Sequence, residues 1–278
     1  MAYEAEISRN NPSMFLFLID QSGSMDEKFA GEGSRRKDQA VADAINKLLQ
    51  NLVIKCAKSD GVRDYYHVGV IGYGTKVGSA FGGDLANQPL VPISKIADSP
   101  VEIEERTRKV EDGAGGLVDQ KVRFPIWFKP LAFGGTPMVE AFTQARKIVD
   151  DWMRTHPAGF PPIIINITDG ESSDGDPLSA ATALRGLRNA DGDALLFNVH
   201  LSSLGGMTFE FPHSEAELPD KFAKQLFQMS SPLPPHLMDI AQKEGYNVRE
   251  GARGFVFNAD IVAVIKFLDI GTRPSNLR

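Results

Sequence analysis

The chain has 278 residues, 42% apolar and 24% charged, enough to bury a sizeable core without disulfide or metal staples. Its net charge of -6 argues against a general nucleic-acid binder, which would carry a basic stripe, and the apolar run at 14–19 is too short to cross a bilayer. The single cysteine, Cys56, excludes an intrachain disulfide, and its apolar neighbours mark it as a buried structural thiol in a reducing compartment. The opening residues MAYEAEISRNNPS lack the basic start and long apolar stretch of a signal peptide, so the expected location is cytoplasmic, with no membrane or nucleic-acid partner.

Short apolar runs alternate with helical periodicities along the chain, the pattern of an α/β domain with a mostly parallel sheet. The first strand is expected at 14–19. A helix follows, in which Val41, Ala44, Ile45, Leu48, Leu52 and Cys56 recur at three- and four-residue steps. The second strand is expected at 67–73. The segment 81–130 is irregular and rich in Gly, Pro and charge; it reads as an elaboration holding one helix over 102–110 and an edge strand near 122–127. Met138, Phe142, Ala145, Val149 and Trp152 then mark a helix behind Pro137, a residue suited to a first helical turn. Strands at 163–168, 194–201 and 254–258 alternate with helices at 178–188, 220–229, 235–244 and 260–269. Several strands are apolar throughout, as where helices cover both faces of a sheet. The expectation is a single domain over 1–278, doubly wound and Rossmann-like, with a short C-terminal tail at 271–278.

The chemistry gathers in three loops. Asp20, Ser22 and Ser24 follow the first strand at every second position, so in an extended segment their side chains point the same way. Gly23 between them is expected to let the backbone bend. One carboxylate and two hydroxyls make a hard oxygen half-site suited to Mg²⁺ or Mn²⁺ and poorly suited to zinc. Gly134-Gly135-Thr136-Pro137 offers a further hydroxyl at a helix start, and Thr168-Asp169-Gly170-Glu171 a second carboxylate at a strand's C-terminal end. In an open parallel sheet, ligands bind in the crevice outside those ends. Each piece alone is weak. An Asp-x-Ser-x-Ser string arises by chance in about one chain in fifteen of this size. Either serine could begin a turn, Thr136 could be an N-cap, and Asp169-Gly170 could be plain turn chemistry. Their joint placement points to a site.

Together, Asp20-Gln21-Ser22-Gly23-Ser24-Met25, Gly134-Gly135-Thr136-Pro137 and Asp169-Gly170 resemble the metal-ion-dependent adhesion site of von Willebrand factor type A (VWA) domains. The apparent strand–helix order is similar to that family over roughly residues 12–270. The resemblance implies the VWA fold, hydroxyl ligands from Ser22, Ser24 and Thr136, and Asp20 and Asp169 holding the metal, often through water. It also implies one coordination position left for a Glu or Asp of a protein partner. Similarity to intracellular members implies an adaptor or scaffold, working with an AAA-type ATPase or a kinase and phosphatase pair. Two stretches depart from the family pattern. Residues 26–37 form a longer polar loop in which Asp26, Glu27 and Glu32 could compete for the open position, and 81–130 is longer than in a minimal domain.

Catalytic readings fit less well. Aspartyl-phosphate phosphotransferases resemble Asp-x-Asp-x-Thr, and here the second aspartate, the acid and base, is replaced by Ser22. GVIGYGTK at 69–76 nearly imitates a phosphate loop, but Thr75 stands where the lysine is needed, and Gly72 and Gly74 fit better as the end of the second strand. Of the five histidines, His67 and His200 fall on expected strands, His156 ends a helix, and His213 and His236 fall in proline-rich loops, so no base stands beside a serine nucleophile. The expected function is therefore a non-enzymatic, metal-dependent interaction module, with the phosphotransferase as its alternative.

Overall fold

The run SMFLFLID is apolar on both faces, and it is buried along its whole length as β1 (Ser13–Asp20), an interior strand of the main sheet. Phe15, Phe17 and Ile19 point to one side and Met14, Leu16 and Leu18 to the other. In the computed structural model, residues 3–28, 35–111, 116–201, 207–216 and 218–271 are described. After β1 come α1 (Lys37–Cys56), a small ribbon of β2 (Ala57–Lys58) and β3 (Gly61–Val62), then β4 (Tyr66–Tyr73), β5 (Val77–Ser79), β6 (Val91–Pro92) and α2 (Ile93–Asp98). Next are β7 (Glu102–Glu111), β8 (Leu117–Ile126), α3 (Met138–Thr155), β9 (Ile163–Thr168), α4 (Leu178–Arg185) and β10 (Leu195–Leu201). The chain continues through β11 (Phe209–Glu210), α5 (Lys221–Met229), α6 (Pro235–Lys243), β12 (Phe255–Ala259) and α7 (Ile261–Gly271).

Eight strands form the main sheet in the order β11-β12-β10-β9-β1-β4-β5, with β6 also paired to β4. Its five principal strands, β4, β1, β9, β10 and β12, run parallel. The β1 face carrying Phe15 packs under α1, α6 and α7, and the face carrying Leu16 packs under α3, α4 and α5. This is the expected doubly wound α/β class. Cys56 is buried as expected, and burial pushes its thiol up to about 12, which makes it inert.

The order of the parallel strands reverses beside β1. The chain moves from β1 to β4 on one side, then returns to place β9 on the other. Register keeps these strand ends level, with Asp20 opposite Tyr73 and Ile19 opposite Ile167. The loops leaving β1 and β9 therefore diverge to opposite faces and open a crevice at their C-terminal ends.

The segment 81–130 departs from the sequence reading. No helix forms over 102–110; those residues are β7, paired with β8 in a separate two-stranded ribbon. A charge spacing such as Glu105–Lys109 suits a helix or a strand, and here partners across the ribbon decide: Glu105 lies opposite Arg123 and Lys109 opposite Asp119. The expected edge strand is β8, longer than 122–127 and not part of the main sheet. Arg106 ties the ribbon to α1 through Asp43 at 2.8 Å, and its guanidinium lies 3.7 Å from the centre of the Phe124 ring. Buried Trp127 anchors the ribbon's end, its backbone N–H donating to Asn46 Oδ1 at 2.9 Å. The missed helix α2 lies in the same segment. Most of the expected C-terminal tail, 272–278, lies outside the described residues. No described helix is long and apolar enough to cross a membrane.

Candidate metal centre

Asp20 ends β1 and is 1% exposed. Its Oδ1 accepts the Ser22 backbone N–H at 2.8 Å, and its Oδ2 accepts the hydroxyl of Thr168, the last residue of β9, at 2.6 Å. Ser22 is extended, but the chain then turns through a short 3-10 turn at Gly23–Asp26. The two serines thus converge by a turn, not by the expected pleat: Ser22 Oγ and Ser24 Oγ lie 3.0 Å apart. Gly23 does not owe its place to sterics, since a Cβ there would make only an ordinary 3.8 Å contact with Gly134 O. Ser24 Oγ donates on to Asp169 Oδ1 at 2.7 Å, linking the loop after β1 to the loop after β9. Ser22 does begin the turn, its carbonyl accepting the Met25 N–H at 3.1 Å, but its side chain makes no capping bond and stays turned to the cluster.

The third loop is strapped to the first through the backbone. Gly134 O accepts the Gly23 N–H at 3.0 Å, and the Phe133 N–H donates to Gln21 O at 2.6 Å. This approach needs glycine at 134, whose φ is +100° and whose added Cβ would lie 2.6 Å from the Thr75 nitrogen. Thr136 is buried, its N–H donating to Ser173 Oγ at 2.8 Å and its carbonyl accepting the Ser173 N–H at 2.9 Å. The N-cap reading of Thr136 fails. Asp174 caps α3 from the loop after β9, accepting the N–H groups of Val139 and Glu140 at 3.0 and 2.9 Å. A Cβ placed on Gly170 would lie 3.9 Å from Thr136 Oγ1 and 4.0 Å from Ser24 Oγ, so both hydroxyls border one small space above Gly170. Asp20, Ser22, Ser24, Thr136 and Asp169 therefore come together in one cluster.

The two carboxylates are treated differently. Burial pushes Asp20 up to about 6; hydrogen bonds from Ser22 and Thr168 pull the other way, and the Asp169 charge adds to the rise. Among the described residues no basic side chain pairs with it. Asp169 is fully buried at its side chain, and its Oδ2 accepts from Lys37 Nζ at 2.7 Å. Lys37, with 3% of its side chain exposed, is the residue the sequence reading missed. The signal was present: Lys37, Val41, Ala44 and Leu48 continue one helical stripe, which places a lysine on the buried face of α1. Of the acidic residues expected to crowd the site, Glu27 lies 3.3 Å from Lys37 Nζ and Asp26 pairs with Arg36 at 2.6 Å. Glu32 lies outside the described residues.

Two carboxylates and three hydroxyls form a hard donor set. Among the described residues no group of three or more His, Cys, Asp or Glu is placed to hold a metal ion, so an ion here would depend on the hydroxyls and on water. The residues fit a hard cation on charge: Asp20, Asp169 and Lys37 sum to -1 in a buried setting, and among the described residues Asp20 has no counter-charge of its own.

Other motifs serve packing. A Cβ on Gly74 would fall 2.8 Å from the Gln21 carbonyl oxygen and 2.7 Å from that of Phe133, so the near phosphate loop at 69–76 marks the close backbone approach of the chain after β4 to the loop after β1. His200 stacks on Phe257 at 4.4 Å between ring centres, with its pKa pushed down to about 4 by burial. His156 stacks on Trp152 at 3.7 Å. His236 sits in the first turn of α6 and not in a loop.

No family model and no curated protein matches the chain. Solved structures similar to it include three N-terminal domains of the type V pili tip protein Mfa5 from Porphyromonas gingivalis, at 18% identity and a TM-score of 0.31, over 58% of this chain and 20% of that one. The vWF domain of the same protein matches at 16% identity and a TM-score of 0.31, over 58% and 39%. The pilus adhesin RrgA from Streptococcus pneumoniae matches at 15% and 0.31, over 61% and 22%. The match spans well under half the length of each of these chains, and at such scores it carries no argument about the site; the α/β class rests on the chain's own sheet.

Proposed function

We propose that the chain is a metal-dependent protein-interaction module in which Asp20, Ser22, Ser24, Thr136 and Asp169 hold Mg²⁺ or Mn²⁺. The observation that supports this most is Asp20, a buried carboxylate oriented through both oxygens and, among the described residues, lacking a cationic partner, beside four further hard-oxygen residues. When bound, the ion supplies an open coordination position for a Glu or Asp of a partner protein, as the resemblance to VWA domains implies. Ser22, Ser24 and Thr136 contribute neutral oxygens, which leaves the ion's charge only partly spent. The loop after β1, the 133–136 loop and the loop after β9 choose which partner reaches the crevice. The adaptor role with an AAA-type ATPase or a kinase and phosphatase pair is an analogy at fold level, and the cytoplasmic setting rests on the single cysteine.

The phosphotransferase alternative is disfavoured. Ser22 cannot act as acid and base, and Asp20, 1% exposed with both oxygens engaged, is poorly presented as a nucleophile. The test of the module is capture from native lysate with Mg²⁺ and with EDTA. A partner recovered only with Mg²⁺, and lost with Ser24→Ala, is the expected result. Equal recovery under both conditions contradicts metal-dependent recognition.

A further inference from the structure

Lys37 breaks three local rules at once. It is the first residue of α1, where the helix dipole disfavours a cation. It lies on the apolar stripe of that helix, and its residue is 2% exposed, although lysine is almost never buried without a partner. Its backbone N–H donates to Glu27 O at 2.9 Å, which fixes where the side chain starts. Nζ then ends 2.7 Å from Asp169 Oδ2, while Asp169 Oδ1 accepts from Ser24 Oγ at 2.7 Å. One carboxylate is thus shared between an ammonium and a hydroxyl of the candidate centre. A residue that violates the helix dipole, the apolar pattern and the burial rule together is retained for its partner.

We propose that Lys37 is a resident counter-cation of this centre, which neutralises Asp169 in the metal-free protein and weakens divalent-ion binding by repulsion. The inference rests on the proposed metal reading and deepens it. Without an ion, the ammonium holds Asp169 and the loop after β9 in place, so the site stays formed while empty. With a divalent ion, the buried set of Asp20, Asp169, Lys37 and the ion sums to +1. The lysine therefore lowers affinity for the ion and raises attraction for an incoming anion. Without Lys37 the loaded set would be neutral. A metal can still enter, because among the described residues no basic side chain pairs with the buried Asp20.

The test is calorimetric titration of Mg²⁺ and Mn²⁺ into the full chain and into Lys37→Met and Lys37→Gln, with melting temperatures recorded with and without metal. The glutamine retains a hydrogen-bond donor for Asp169 without the charge. The expected result is metal affinity at least about tenfold higher in both variants, since an ammonium beside the ion has been removed, with a lower metal-free melting temperature. Variants that fold only when metal is added support the proposal equally, because the ion then replaces the lysine. Wild-type binding with equal or weaker binding by both variants overturns the role of Lys37 and leaves the metal centre standing. Variants that do not fold even with metal also overturn it, since a counter-cation alone would be replaceable. Absence of binding in all three proteins overturns the metal reading and this proposal together.

Discussion

Two ion pairs of nearly equal length sit at opposite extremes of this molecule. Lys37 and Asp169 meet at 2.7 Å with side chains 3% and 0% exposed, in the crevice between β1 and β9. Lys121 and Glu105 meet at 2.6 Å with side chains 74% and 64% exposed, on the β7–β8 ribbon. The distances are alike, but their weights are not. In the crevice both charges have given up water, and Asp169 depends on Lys37, which also meets the exposed Glu27 at 3.3 Å; on the ribbon, water and salt serve either one almost as well. The crevice is where charge is concentrated and unbalanced, so it is there that a ligand has something to do.

That contrast is broken most strongly at Lys37. Lys37→Met leaves Asp169 buried and unpaired, and the metal-free protein is expected to lose about 3 to 5 kcal/mol in denaturant unfolding. A loss under 1 kcal/mol would place the crevice pair in the same class as the ribbon pair.

Asp20→Asn should act in the opposite direction. Asp20 is raised from 3.8 to about 6, a difference equivalent to roughly 3 kcal/mol at most. Above pH 6 the folded carboxylate is ionised against its burial, and the folded state carries the full penalty. As pH falls from 6 toward 3.8 the folded state takes up the proton before the unfolded state does, and the penalty fades. His200 opposes this trend: lowered from 6.5 to about 4, it costs stability as pH falls through that window. The difference between wild type and Asp20→Asn separates the two. The variant should be more stable than the metal-free wild type above pH 6, with the gap closing toward pH 4. A gap that does not change with pH would show that Asp20 is not the buried, ionised group described here.

The smallest effect is expected at the ribbon. Glu105→Ala or Lys121→Ala should change stability by less than about 1 kcal/mol, and less still in high salt. A larger loss would mean that the ribbon is held by its charges and not by the Trp127 anchor.

The same contrast explains what could be read from the sequence. β1, β4, β9 and β10 were legible because strands covered on both faces are apolar throughout, and only one class of structure buries such short runs. Asp20, Thr136 and Asp169 were legible because they stand at strand ends and a helix start, and Ser22 and Ser24 by their spacing, although a 3-10 turn and not the pleat is what brings the two hydroxyls together. Lys37 was overlooked because it closes a polar stretch, although its helical phase with Val41 and Ala44 was visible. Thr168 and Ser173, which orient Asp20 and Thr136, carry no pattern of their own, since their partners lie on other loops. The ribbon was misread because its pattern depends on β8, and local charge spacing around Glu105 and Lys109 satisfies both periods.

The central claim, that this crevice holds a divalent cation, is tested most directly by titrating Mg²⁺ into wild type and Asp20→Asn while following heat and melting temperature. One saturable site in the wild type is predicted, with stability gained as RT ln(1 + [L]/Kd), a melting temperature that rises with metal concentration, and no response in the variant. No heat and no shift in the wild type, or an equal shift in Asp20→Asn, would contradict it.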